Sequence, residues 1–185
     1  MGETMTWPNF KNLITALTLI SGFYLMSDVS FAQTSTSTGR SNAIVKSIDG
    51  SEIKAIQNIR KAINEGDFND ALRRSNKIIK SEDRGRRSGT SYSEYYKEAY
   101  NCLCVSYTGL GRLKDAIEAC NTSIELSPNH WESFKSRATV YYMAQMYPES
   151  LIDFENSLNN APHDKEIKDA LEQNISLVKS KSTSN

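Results

Sequence analysis

A pattern recurs after 34 residues. Pro128 and Pro162 lie 34 apart, and the stretches before them align. Tyr100 pairs with Phe134, Cys104 with Ala138, Tyr107 with Tyr141, Leu113 with Tyr147 and Ala116 with Ser150. Ile117 pairs with Leu151, Cys120 with Phe154, Ser123 with Ser157 and Ile124 with Leu158. A fixed period of this length marks a repeat array, in which each unit buries its apolar face by stacking on its neighbour. Within one unit Tyr100, Leu103, Cys104 and Tyr107 recur at three- and four-residue steps, a single apolar helical stripe. Leu113, Ile117, Cys120 and Ile124 repeat that stripe on the next helix. Small residues at Cys104 and Ala116 let the two backbones approach. Gly66 and Gly111 permit left-handed hairpin turns, and the prolines stop one unit before the next begins. The pattern predicts an all-α fold of antiparallel helix–turn–helix repeats. Helices are expected over 51–64, 67–80, 92–109, 113–126, 129–143, 147–160 and 164–179.

A weaker copy lies upstream. Ala55-x3-Ile59-x2-Ala62 is followed by Glu65-Gly66-Asp67-Phe68 and Asp70-Ala71-Leu72. Its closing proline is replaced by Asp83, and residues Gly85–Tyr96 intervene before the next unit. The best unit, Lys97–His130, carries Tyr100-x2-Leu103-Cys104-x2-Tyr107, Gly111-x-Leu113, Ala116-Ile117, Cys120, Ser123-Ile124 and Pro128. In spacing and residue type this resembles the tetratricopeptide repeat (TPR). The following unit, Trp131–Asp164, departs at Arg137, where leucine is usual, and at Ser150, where alanine is usual. The resemblance covers roughly Ser51–Asp164. It implies a TPR-like short solenoid of about three repeats, near 52–84, 97–130 and 131–164. A capping helix over 165–180 completes a repeat domain taken as 51–180, and 181–185 is expected to be a disordered tail.

The first 32 residues differ in kind. Lys11 precedes the apolar run Leu13–Met26, and Ser30-Phe31-Ala32 follows it. These are the parts of a signal peptide cleaved after Ala32. The run falls short of the roughly 20 apolar residues a spanning helix needs. An uncleaved anchor at residues 13–26 is the alternative. No cysteine follows the run, which excludes a bacterial lipoprotein anchor there. Gln33–Asn42 is Ser/Thr/Gly-rich, and 33–50 reads as a flexible linker. Cleavage would leave 185 − 32 = 153 residues with 21 basic and 20 acidic groups, a net charge of +1, which argues against nucleic acid as partner. The expected location is periplasmic or secreted, with membrane contact only through an uncleaved signal or a basic patch.

The resemblance further implies a concave groove lined by first-helix residues. Here they are Ile56, Arg60, Ile63, Asn101, Val105, Thr108, Lys135, Thr139 and Tyr142. Their mixture of apolar and polar groups suits an extended peptide or an amphipathic helix. Chaperone-binding members of the family hold a terminal carboxylate with basic residues and asparagines at set positions. Ile56 and Arg60 fill the first repeat's two positions, Cys102 replaces an asparagine, and Glu132 and Ser136 replace the two basic residues. That clamp is absent.

Cys102 and Cys104 point about 200° apart on a helix and cannot share a metal while helical. Cys104 and Cys120 face the seam between their helices, staggered by about 4.5 Å. They form either a disulfide, as an oxidising compartment favours, or two small buried hydrophobes. Cys102 is then an odd thiol, expected to be partly exposed. Arg73, Arg74, Lys77, Lys80, Arg84, Arg86 and Arg87 make a candidate basic patch against Glu82 and Asp83, either a contact for an acidic partner or membrane, or a solvated helix face. Tyr92, Tyr95 and Tyr96 are expected to start the next helix and pack on the preceding repeat.

His130 and His163 both follow closing prolines, and neither has the i, i+4 partner of a metal-binding helix. No phosphate-cradling glycine loop and no catalytic set stands out, so neither metal, cofactor nor enzymatic activity is expected. The sequence points to a non-catalytic protein-interaction scaffold in the bacterial envelope or secreted space. The alternative is a structural subunit of a larger envelope assembly, using its convex face or basic loop.

Overall fold

A computed structural model describes residues 50–85 and 92–183. The expected signal, the expected linker up to residue 49, and Arg86 and Arg87 of the basic patch lie outside the described residues, whereas Gly50 belongs to the first helix rather than to the linker. Seven helices and no strand are found among those described: α1 Gly50–Asn64, α2 Phe68–Gly85, α3 Glu94–Gly109, α4 Leu113–Leu126, α5 Trp131–Met143, α6 Tyr147–Asn160 and α7 Lys165–Ser182. Each packs on the next in sequence. In addition α1 touches α3 and α3 touches α5, so the first helices of successive pairs form one layer.

Each hairpin turns in the same way. Gly66, Gly111 and Gln145 have φ of 77°, 71° and 61°. The following amide then reaches back five residues, from Asp67 to Ala62, Arg112 to Tyr107 and Met146 to Tyr141, each at 2.9 Å. This 6→1 bond satisfies a helix-end carbonyl that would otherwise be orphaned. A second contact also repeats with the period. Ser123 Oγ donates to the Lys97 carbonyl at 3.0 Å, and Ser157 Oγ donates to the Trp131 carbonyl at 2.9 Å. In the α3–α4 and α5–α6 pairs the second helix is thus bonded to the first turn of its partner. Gly109 permits a close approach between α3 and α2: a Cβ there would lie 2.5 Å from the Phe68 ring.

Where the helices depart from expectation, the cause is local. α2 runs to Gly85 because Asp83 stands where proline would have stopped it. α3 starts at Glu94 because Ser93 caps it, accepting from the Tyr96 amide at 3.2 Å. Tyr96 does pack on the preceding repeat: its hydroxyl donates to Asp83 Oδ1 at 2.8 Å, and its ring stacks on Tyr92 at 4.1 Å. Tyr92 itself precedes the helix. α7 covers the end of the array. Leu171, Ile175 and Val178 close over Ala138 and Phe154, with Trp131, Tyr142, Tyr147 and Leu151 packed around them.

Candidate functional site: the face shared by the first helices

The layer of α1, α3 and α5 carries an ion cluster at its centre. Arg60 on α1 reaches across two helices. Its Nη2 lies 2.7 Å from Glu98 Oε1 on α3 and 2.9 Å from Glu132 Oε2 on α5. His130, the residue before α5, brings Nε2 to 3.4 Å from an oxygen of each carboxylate. Cys102 Sγ lies 3.7 Å from Glu98 Oε1. Lys135 sits on the next turn of α5, its Nζ 5.1 Å from the Trp131 ring centre.

Burial sets how each group titrates. It raises the Glu98 pKa, helped by the nearby Glu132 charge and opposed by Arg60 and His130. Burial would raise Glu132 too, but His130, Arg60 and Lys135 beside it hold that carboxyl at about 2. His130 would be lowered by burial, yet Glu132 and Glu98 pull it above its ordinary value. Burial pushes the Lys135 ammonium down and the Cys102 thiol well up. Cys102 is 3% exposed rather than partly exposed: its face of α3 turns toward Glu98, beneath the cluster. A protonated, buried thiol is a poor nucleophile.

The nine expected groove residues divide. Ile56, Ile63, Asn101 and Thr108 are buried. Asn101 Oδ1 accepts from Ser136 Oγ at 2.8 Å, a second tie between α3 and α5, and Thr108 bonds back to the Cys104 carbonyl. Arg60, Val105, Lys135, Thr139 and Tyr142 keep partial exposure. Tyr142 also meets Tyr147 edge-on at 5.8 Å, so much of its ring belongs to the core.

The remaining candidates lie elsewhere. Cys104 and Cys120 are joined by a disulfide across the α3–α4 seam, with Cα atoms 5.2 Å apart. In the basic stretch of α2, Arg73 and Arg74 both pair with Asp70. Arg84 donates to the Lys80 carbonyl, and Lys77 and Lys80 are exposed. The stretch is partly neutralised on its own helix.

The sequence reading passed over the meeting of Glu98, His130 and Glu132. A test for metal ligands confined to one helix cannot see groups that join from two. One signal was available: Glu98 and Glu132 are themselves 34 apart, so the repeat places both carboxylates at one register position.

No family model matches the chain. Among curated proteins it is similar to human DnaJ homolog subfamily C member 3, with 25% identity over 126 residues, 68% of this chain and 24% of that protein. The chain thus spans about a quarter of the length of that relative. Among solved structures it is similar to the TPR domain of Sgt2 from Aspergillus fumigatus, with a TM-score of 0.58, 11% identity, and coverage of 73% of this chain and 81% of that one. It is also similar to the first TPR of Spaghetti (RPAP3) bound to the HSP90 peptide SRMEEVD, with a TM-score of 0.52, 15% identity, and coverage of 70% of this chain and 95% of that one. These likenesses identify the fold as that of the tetratricopeptide repeat.

Proposed function

We propose that this array is a non-catalytic protein-interaction scaffold, exported to the bacterial envelope or secreted, which holds a segment of partner chain or a partner helix against α1, α3 and α5. The observation that carries this reading is the continuous face of three first helices, tied together by Arg60 and by the Asn101–Ser136 bond before any partner arrives. A face already ordered loses little entropy on binding. Val105, Thr139, Lys135 and the open part of Tyr142 offer apolar contact and hydrogen-bonding groups side by side. A solved neighbour of the same fold holds an HSP90 peptide. Export is supported by the leader-like first 32 residues and by the Cys104–Cys120 disulfide, which an oxidising compartment maintains.

The face does not present a clamp for an acidic chain terminus. Cys102, Glu132 and Ser136 stand where such a clamp needs an asparagine and two basic residues, and Arg60 is already paired with Glu98 and Glu132. SRMEEVD titrated into the full chain therefore gives no saturable binding. A random peptide library displayed against the chain enriches segments that bind the wild type, and Val105→Trp or Thr139→Trp weakens them about 10-fold or more with the fold unchanged by circular dichroism. Enriched segments that bind both variants as well as the wild type would refute the concave site. They would favour a structural subunit that uses another face.

A further inference from the structure

His130 precedes α5 but does not cap it with its side chain. Its ring instead joins a directed chain of hydrogen bonds. Nδ1 lies 2.7 Å from Ser133 Oγ, Ser133 Oγ lies 2.7 Å from Ser123 Oγ, and Ser123 Oγ lies 3.0 Å from the Lys97 carbonyl oxygen. A carbonyl only accepts, so Ser123 gives its hydrogen to Lys97. Ser123 must then accept from Ser133, and Ser133 must accept from His130. The hydrogen is thereby fixed on Nδ1, and Nε2 is turned toward the two carboxylates.

The distances at Nε2 are informative. Glu98 Oε2 and Glu132 Oε2 each lie 3.4 Å away. A charge-assisted N–H···O bond would close to roughly 2.7–2.9 Å. Bonds of roughly 2.0–2.2 Å from a tetrahedral Zn2+ place neighbouring ligand atoms roughly 3.3–3.5 Å apart. The spacing fits the edge of a coordination polyhedron better than a direct ion pair. One ligand atom from each of the three residues lies within 4.8 Å of the others.

We propose that Glu98, His130 and Glu132 form a binding site for a divalent transition metal, Zn2+ by its donor set, with a coordination position left for water on the groove side. Three observations meet here. The two imidazole–carboxylate spacings of 3.4 Å match a coordination edge. The imidazole donates its other N–H to Ser133, the outer-shell bond that orients metal-binding histidines. The three side chains keep 14%, 26% and 12% exposure, which leaves a way in from solvent. Arg60 Nη2 holds Glu98 by its other oxygen, Oε1, but shares Oε2 of Glu132 with the site. It steadies one ligand and competes for the other. The site needs no bound partner, so it stands or falls independently of the scaffold reading.

The test is calorimetric titration of the chelator-treated full chain with ZnCl2. One equivalent of Zn2+ is expected to bind. His130→Gln and Glu98→Gln should each weaken it by about 10-fold or more. His163→Gln should leave it unchanged, and Arg60→Gln, which removes the competing cation, should tighten it. Co2+ should give the intense visible absorption of a tetrahedral site in the wild type and lose it in Glu98→Gln. Circular dichroism of each metal-free variant checks the fold, and Glu132→Gln replaces any variant that does not fold. Absence of saturable binding overturns the proposal, as does one-equivalent binding that survives the folded ligand variants.

Discussion

Arg137 stands where the repeat ordinarily carries leucine, and the structure supplies the reason. Its guanidinium grips Asp153 on α6 with both ends, Nε at 2.6 Å and Nη2 at 2.8 Å, and Nη1 donates to Asn121 on α4 at 2.7 Å. The Asp153 side chain is 3% exposed. Arg137→Leu alone strands a buried carboxylate and should cost roughly 3–5 kcal/mol. Arg137→Leu with Asp153→Leu should recover most of that loss, because a packed apolar pair replaces a packed ionic one. Urea denaturation of the three variants checks this, and a double variant no more stable than Arg137→Leu would contradict it. Ser150, the other departure, is explained by its bond to the Ala138 carbonyl at 2.8 Å. Gln145 is the third turn residue with positive φ, in the register filled elsewhere by Gly66 and Gly111. Gln145→Gly should raise stability by about 1 kcal/mol, since only glycine enters that region without a Cβ penalty. A lower thermal midpoint for that variant would show that the side chain repays the strain.

At the scale of helices, most of the structure was legible. α4 and α6 begin and end where the apolar stripes, the turns and the prolines predict. The misses fall where a stop signal is lacking or a cap is local. α2 overran its expected end because nothing halts it at Asp83, and α3 waited for the Ser93 cap. The Cys104–Cys120 pairing was only half legible. Spacing brought the two residues to one seam but favoured a buried apolar pair over the bridge that the structure shows. In the folded chain the bridge spans a sequence separation of 16. Replacing both cysteines with serine should therefore cost about 3 kcal/mol, through a less constrained unfolded chain. A reductant should destabilise the wild type by a similar amount and leave the double variant unaffected. Equal denaturation midpoints for oxidised and reduced wild type would contradict this.

At the scale of the whole molecule, the repeat predicted which helices share a face but not what that face would carry. The TPR resemblance implied Arg60, Val105, Lys135, Thr139 and Tyr142 as groove positions of the first helices, and these keep partial exposure. It could not tell that Ile56, Ile63, Asn101 and Thr108 would be covered, because their burial depends on how closely α1, α3 and α5 approach. Nor could it show that Arg60 would spend its charge on Glu98 and Glu132 rather than on a ligand. Long-range ion pairs depend on side-chain reach between helices, which a one-dimensional period does not encode. The proposed scaffold docks its partners on the shared face of α1, α3 and α5. Photo-crosslinking in the native host tests it most directly, with benzoylphenylalanine placed singly at Val105, at Thr139 and, on the second helix α6, at the exposed Ile152. Docking on that face gives one common crosslinked protein from Val105 and Thr139 and none from Ile152. Crosslinks from Ile152 alone would contradict it.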